Sequence, residues 1–452
     1  MINARIAAGD FVLPIYLFVC IVLGGSSQSI WGKSILQFLA VLIVAWAIAS
    51  PRVRLRLSRT PMILGAAVLA LFVLHLIPLP PSIWSHLPGR EMVVEGYRSL
   101  NMDLPWLPLS LSPYDSFEAL LFFLPPTAVI LLAVGRENPR AEWAAWTMVG
   151  ATLLSVLLGY LQISSGRFEQ SGWYLYDNTN VGAAVGFFAN RNHMGTLLLV
   201  AIPFTIAIAS IASARARGSS VPIWVGAGAA LLILSLGIAM NGSLAAVLLA
   251  GPAILLSALL LPGARRVRGL VLAVAVLGFG AATLVLTNSP VQAELTGKDT
   301  SSFDGRSEIW STTLAAAKQT FPVGTGLGTF QIAYATYEDA DVVTRTYVNH
   351  AHNDYLEIAL EGGAIGALIL AAFLLWWAKI ATGAWQAGNE KALSRAAVAA
   401  SGVILASSFV DYPLRTTSIA TIFAFLVAVA ARPKVEASSP NTTEGLRHLR
   451  YH

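Results

Sequence analysis

Apolar runs about twenty residues long, separated by short polar segments, recur almost from one end of the chain to the other. A helix crosses a bilayer with roughly 20 mainly apolar residues. On that criterion the pattern predicts about twelve spans, at 11–25, 33–50, 61–79, 116–134, 143–163, 192–212, 222–240, 244–262, 269–287, 355–378, 396–411 and 416–431. The first and the last two are short. No internal repeat is visible.

The expected architecture is therefore all-α: one polytopic transmembrane helical bundle. Residues 1–287 hold spans one to nine, with outer loops at 80–115 and 164–191. Residues 288–354 form a large, partly helical extramembrane loop. Residues 355–431 hold spans ten to twelve, and 432–452 read as a disordered tail. Within the large loop, Asp304 or Ser307 can cap a helix that runs through WSTTLAAAKQT. The following FPVGTGLGTF cannot continue it, because its proline and glycines break the pattern. Residues 80–115, rich in Pro and Trp, suit a short helix at the membrane interface.

Composition turns this pattern into a class. The chain is 56% hydrophobic and only 12% charged, with a mean hydropathy of +0.67, where soluble proteins carry about 25% charged residues. The lone Cys20 lies in an apolar run and forms no intrachain disulfide. The first apolar run lacks a convincing cleavage site and reads as a retained helix.

Charge gives an orientation. Alternate connecting segments are arginine-rich: Arg52, Arg54, Arg56 and Arg59; Arg136 and Arg140; Arg215 and Arg217; Arg265, Arg266 and Arg268; Lys379, Lys391 and Arg395. By the positive-inside rule these lie in the cytoplasm, as do both termini. Most of the acidic residues and all the long loops fall on the other face. The basic excess follows the membrane, so no nucleic-acid partner is implied.

Candidate chemistry concentrates in one stretch, Tyr347–Gly366, YVNHAHNDYLEIALEGGAIG. Ionisable groups at a helix mouth are costly in a membrane and usually functional. His352, followed by Asn353, is the first candidate for a general base. For an isolated histidine, a helix cap or a loop hydrogen bond is the ordinary reading; the cluster shifts the balance to chemistry. His350 would point elsewhere were the segment helical. Asn353 and Asp354 can orient His352 or bind a substrate hydroxyl. The spacing lacks HExxH and any cysteine ligand, so neither a metal site nor a cofactor is expected.

Outer arginines are the second signal: Arg191 in FFANRNHMG, Arg306 in FDGRSEIW, Arg345 before the histidine stretch, and Arg415 in DYPLR. A guanidinium fork fits paired phosphate oxygens, so several around one pocket suit a diphosphate. The ordinary alternatives are ion pairs, of Arg306 with Asp304 or Glu308 and of Arg415 with Asp411. His193 reads as structural. Trp173, Tyr174, Tyr176, Tyr334, Tyr337 and Tyr347 can stack on sugars, although interface belts are commoner.

The order GRSEIW, FPVGTGLGTF, HAHNDYLEIALEGGAIG and DYPLR resembles the O-antigen ligase and Wzy-type polymerase superfamily, and FFANRNHMG is similar to an upstream pattern of that family. The resemblance implies an inner-membrane glycosyltransferase, inverting and metal-independent. It would move a glycan from undecaprenyl diphosphate to a hydroxyl on the periplasmic side. In ligases the acceptor is lipid A–core; in polymerases it is another lipid-linked glycan. The resemblance assigns the essential histidine to His352 and the essential arginines to Arg306 and Arg191. Ligation is the preferred expectation, polymerisation the alternative. An anion or small-molecule transporter is the alternative of another class. Against it, the polar residues gather in outer loops, not at the bilayer midplane.

Overall fold

The computed structural model describes residues 8–50, 58–134, 139–164, 166, 171–260, 301–341, 347–386 and 392–432. Helices α1 (Val12–Leu23), α2 (Ile30–Ala49) and α3 (Arg59–Leu76) open the chain. An antiparallel pairing of β1 (Pro78–Leu79) with β2 (Leu107–Pro108) then closes a loop that holds α4 (Pro81–Trp84) and α5 (Glu91–Ser99). Next come α6 (Pro113–Phe122), α7 (Leu124–Val134), α8 (Pro139–Ser164), α9 (Arg191–Arg215), α10 (Val221–Asn241) and α11 (Leu244–Ala258). The predicted span at 269–287 lies outside the described residues, as do Arg345 and nearly all of the tail. The chain continues with α12 (Ser301–Thr320), α13 (Phe330–Tyr337), α14 (Asp354–Gln386), α15 (Ala392–Ser407) and α16 (Thr417–Ala430).

Among the described residues, 7 helical stretches are long and apolar enough to cross a membrane, α6 and α7 counting as one; α1, α11, α15 and α16 are shorter apolar helices. The protein is an all-α, multi-pass membrane protein. Its outward faces carry large exposed apolar side chains such as Trp31, Ile48 and Leu375, which water would not tolerate in this number but lipid does.

The centre of the bundle is α9. From His193 to Ala209 every residue is buried, the mark of a helix that is apolar all round. It packs against α8, α10, α11 and α15. Helix α16 is also largely buried and packs on α7, α15 and α1.

Two features differ from the sequence reading and shape the site. Helix α12 begins at Ser301, so Asp304 and Ser307 lie within it and not at its cap. A capping residue type permits a helix start without enforcing one. The predicted span at 396–411 ends early, at Ser407. The backbone N–H groups of Val410 and Asp411 both turn back to Ser407 O, at 3.0 Å each. At 1.5 Å per residue, α15 and α16 are about 24 and 21 Å long, short of the roughly 30 Å hydrocarbon core.

Candidate active site

Helix α14 is broken. Gly363 has φ 55 and ψ −147, so Asp354–Gly362 forms a separate short helix before the long span. The loop FPVGTGLGTF is spliced into the break. Thr325 N donates to Leu360 O at 3.1 Å, Gly326 N to Glu361 O at 2.9 Å, and Ala364 N to Pro322 O at 2.9 Å. These bonds satisfy groups that the break would otherwise orphan. A Cβ on Gly363 would collide with the carbonyl of Pro322. Arg90, buried in the β1–β2 loop, donates to Leu109 O and, at 3.3 Å, to Gly324 O. It ties the interfacial loop to the splice.

The short helix is capped by Asn353, whose Oδ1 accepts from Tyr355 N and Leu356 N at 3.1 Å each. Its inner face carries Asp354, Glu357 and Glu361, all buried. These surround Arg415, which follows the α15–α16 corner. Arg415 Nη1 lies 3.1 Å from Glu361 Oε2 and 3.5 Å from Glu357 Oε1, and its Nε 3.6 Å from Asp354 Oδ1. Burial opposes the guanidinium charge, but Glu357, Glu361 and Asp354 more than offset it and hold its pKa above the usual arginine value. The pairing of Arg415 with Asp411 weighed from sequence is therefore not the one adopted. The corner turns Asp411 the other way.

Around this cage the loop 347–353 is irregular, not helical. The helical condition under which His350 would point away from His352 is therefore not met. His350 Nδ1 pairs with Glu357 Oε1 at 2.9 Å, and Ala351 N donates to Glu357 Oε2 at 2.9 Å. His352 adopts φ 50, in the left-handed region, an unusual conformation for a non-glycine residue and one often found at functional sites. Both rings pack on Tyr412, with centroid distances of 4.3 Å for His350 and 4.9 Å for His352.

His352 Nδ1 stands 3.3 Å from Asp411 Oδ1. Asp411 also meets His193, whose Nε2 is 3.9 Å from Oδ2. Burial alone would push the Asp411 carboxyl up. Contact with His352 and the charges of His193, His352 and Arg306 reverse this and hold it well below the usual carboxylate range. Arg306, one turn into α12, thus acts on the same carboxylate as His352. Arg191 opens α9. Its N–H is held by Asn180 Oδ1 at 2.9 Å and its carbonyl by Asn241 Nδ2 at 2.9 Å. The loop before it hangs on buried Gln162. The Oε1 of Gln162 accepts from Val185 N and Gly186 N at 3.0 and 2.9 Å. The Tyr412 hydroxyl bonds Asn349 Nδ2 at 3.2 Å and meets the Asn190 side chain, and burial pushes its pKa up to about 12.

Three distant segments thus meet: the start of α9, the loop 347–353 and the corner 408–416. His350 and His352 pack on Tyr412, His352 and His193 face Asp411, and Arg191 sits two residues from His193 in the chain; the charge of Arg306, from the first turns of α12, also bears on Asp411. Asn353 is a cap and Asp354 a partner of Ser408 Oγ at 2.7 Å and of Arg415; neither touches His352 in the way expected. Sequence reasoning missed Asp411 and Tyr412 as site residues. Their signal was present in the DYPLR run, but it was read for its arginine alone. Of the aromatic candidates, Tyr334 is buried against Phe330 and belongs to the core, whereas Trp173 and Tyr347 are exposed. Among the described residues, no group of three or more His, Cys, Asp or Glu side chains is placed to hold a metal ion.

This arrangement offers an imidazole whose Nδ1 faces a carboxylate and whose Nε2 is left to take a proton, with guanidinium charge nearby. Residues 229–371 match the Wzy_C family model, described as O-antigen ligase. No curated protein matches the chain. The match includes Arg306 and His352 and stops before the Asp411 corner. The chain therefore carries a region that matches the O-antigen ligase domain, set within a multi-pass membrane protein.

Proposed function

We propose that this protein transfers a glycan from undecaprenyl diphosphate to a hydroxyl group of lipid A–core, in one inverting step that needs no metal, at the periplasmic face of the inner membrane. The observation that carries the reading is the contact of His352 Nδ1 with Asp411 Oδ1 at 3.3 Å; the periplasmic orientation rests on the arginine bias of the connecting segments. Asp411 favours the His352 tautomer with the proton on Nδ1. Nε2 then takes the proton of the acceptor hydroxyl as the new C1–O bond forms. The bond from C1 to the diphosphate oxygen breaks, and its electron pair leaves with the diphosphate. Arg306 and Arg191 stabilise that charge in a site partly withdrawn from water. Arg415 takes a supporting role in place of the direct phosphate contact expected from sequence, because its described contacts are all carboxylates. A polymerase would use the same steps with a second lipid-linked glycan as acceptor.

The test is His352→Ala in the native host, with insertion verified and surface and lipid-linked glycans resolved on gels. Long glycan retained on its lipid carrier and absent from lipid A–core is the expected result. Accumulation of single repeat units would mean polymerisation instead. An unchanged glycan profile would remove His352 from the mechanism and return the transporter reading to contention.

A further inference from the structure

The floor of the site contains a concentration of unmet polar atoms. His193 Nδ1 and Nε2, His352 Nδ1 and Asp411 Oδ2 are all buried, and none has a hydrogen-bond partner among the described residues. Buried polar atoms without partners are uncommon in folded proteins and call for an explanation. His193 is 2% exposed and lies in the first turn of α9, at the start of its fully buried run. Its ring meets the edge of Tyr412 at a centroid distance of 5.0 Å. Its Nε2 points at the Asp411 oxygen that His352 does not use, at 3.9 Å. Asp411 Oδ1 accepts from Tyr412 N at 2.9 Å and lies 3.3 Å from His352 Nδ1.

We infer that His193 is a positioning residue for the transfer reaction: its ring N–H clamps Asp411 Oδ2, and so fixes the carboxylate that orients His352. The inference rests on the glycosyl-transfer reading above and extends it to a residue outside the proton path. Hydrogen bonds of a catalytic site are often long before substrate binds and tighten in the reactive complex. A shift of less than 1 Å closes the 3.9 Å gap to an ordinary bond. His193 neither gains nor loses a proton in the step. The acceptor proton goes to His352 Nε2, and Asp411, held from both sides, faces the imidazolium that results. Without the clamp the carboxylate can rotate about its own Cβ–Cγ bond, and His352 loses its fixed tautomer.

The test compares His193→Phe, which keeps the ring and its packing on Tyr412 but removes the N–H, with His193→Gln, which restores a donor. Both are purified with the wild type and His352→Ala, and assayed with a lipid-diphosphate glycan donor. We expect His193→Phe to lower kcat about tenfold or more, to leave KM for the donor within about twofold, and to be partly rescued by His193→Gln. An unchanged kcat in His193→Phe, or equal losses in both variants together with lowered thermal stability, would overturn the inference and leave His193 as core packing. Transfer by the wild type itself is what tests the reading of function. Should that fail, ring ¹⁵N NMR of the histidines still decides: His352 signals that move in His193→Phe support the clamp, and unmoved signals overturn it.

Discussion

Two polar clusters lie side by side in the same corner, and they are built on opposite rules. In the cage of Arg415, every carboxylate oxygen but one accepts a hydrogen bond. Glu357 holds His350 and Ala351 N, Glu361 holds Phe330 N and Arg415, and Asp354 Oδ2 holds Ser408. The exception, Asp354 Oδ1, faces Arg415 Nε at 3.6 Å. A few ångströms of chain away, Asp411, His193 and His352 are equally buried from below but leave four atoms without a partner. The first cluster closes on itself and resembles a structural joint, locking the short helix of α14 to the α15–α16 corner. The second keeps unmet hydrogen-bonding capacity around His352 and Asp411. Ion pairs alone do not mark a functional site; unsatisfied capacity next to a titratable ring does.

The comparison can be broken most sharply at Asp411. Asp411→Asn should cut transfer by about 10²-fold or more, because it removes the carboxylate that faces His352, while the protein still inserts and purifies; full activity in that variant would undo this reading of the second cluster. The same carboxyl gives a pH dependence of stability. Its folded-state pKa is depressed, so its contribution is complete above about pH 4 and is lost only as the pH falls below that. Acid unfolding of the wild type and of Asp411→Asn should accordingly converge at low pH and differ near neutrality.

The cage should respond in stability. Arg415→Met leaves three buried carboxylates without their cation and should cost about 3–5 kcal/mol, read as a lowered unfolding temperature in detergent. Replacing Asp354, Glu357, Glu361 and Arg415 together by apolar residues of similar volume should recover much of that loss. Equal stability of Arg415→Met and wild type would mean that the cage is no joint. The smallest effect is expected at Asn353. As a helix cap its loss in Asn353→Ala should cost about 1 kcal/mol, with KM for donor and acceptor little changed. A large rise in KM with unaltered stability would instead restore the sugar-binding role considered from sequence.

Much of this protein was legible without its fold. Apolar run length predicted most of the described helices to within a few residues at each end, although α14 runs on to Gln386, eight residues past its predicted end. His352 and Arg306 stood out because a charged or titratable group beside a span needs a reason. Misreadings arose wherever a partner was distant in sequence. Arg415 was matched to Asp411, its neighbour along the chain, and not to carboxylates on α14. His350 and His352 would have diverged on a helical period, but the stretch is irregular.

The sequence by itself determined the class, a polytopic helical membrane protein, and singled out His352 as a candidate, since these follow from local composition and from the cost of polar groups in lipid. Only the tertiary structure decided which carboxylate faces His352, which arginine is caged, and where α14 breaks. Those outcomes depend on contacts between segments up to about two hundred residues apart, as His193 is from Asp411. A hydrogen bond is set by distance and direction in space, and neither is encoded by position along the chain.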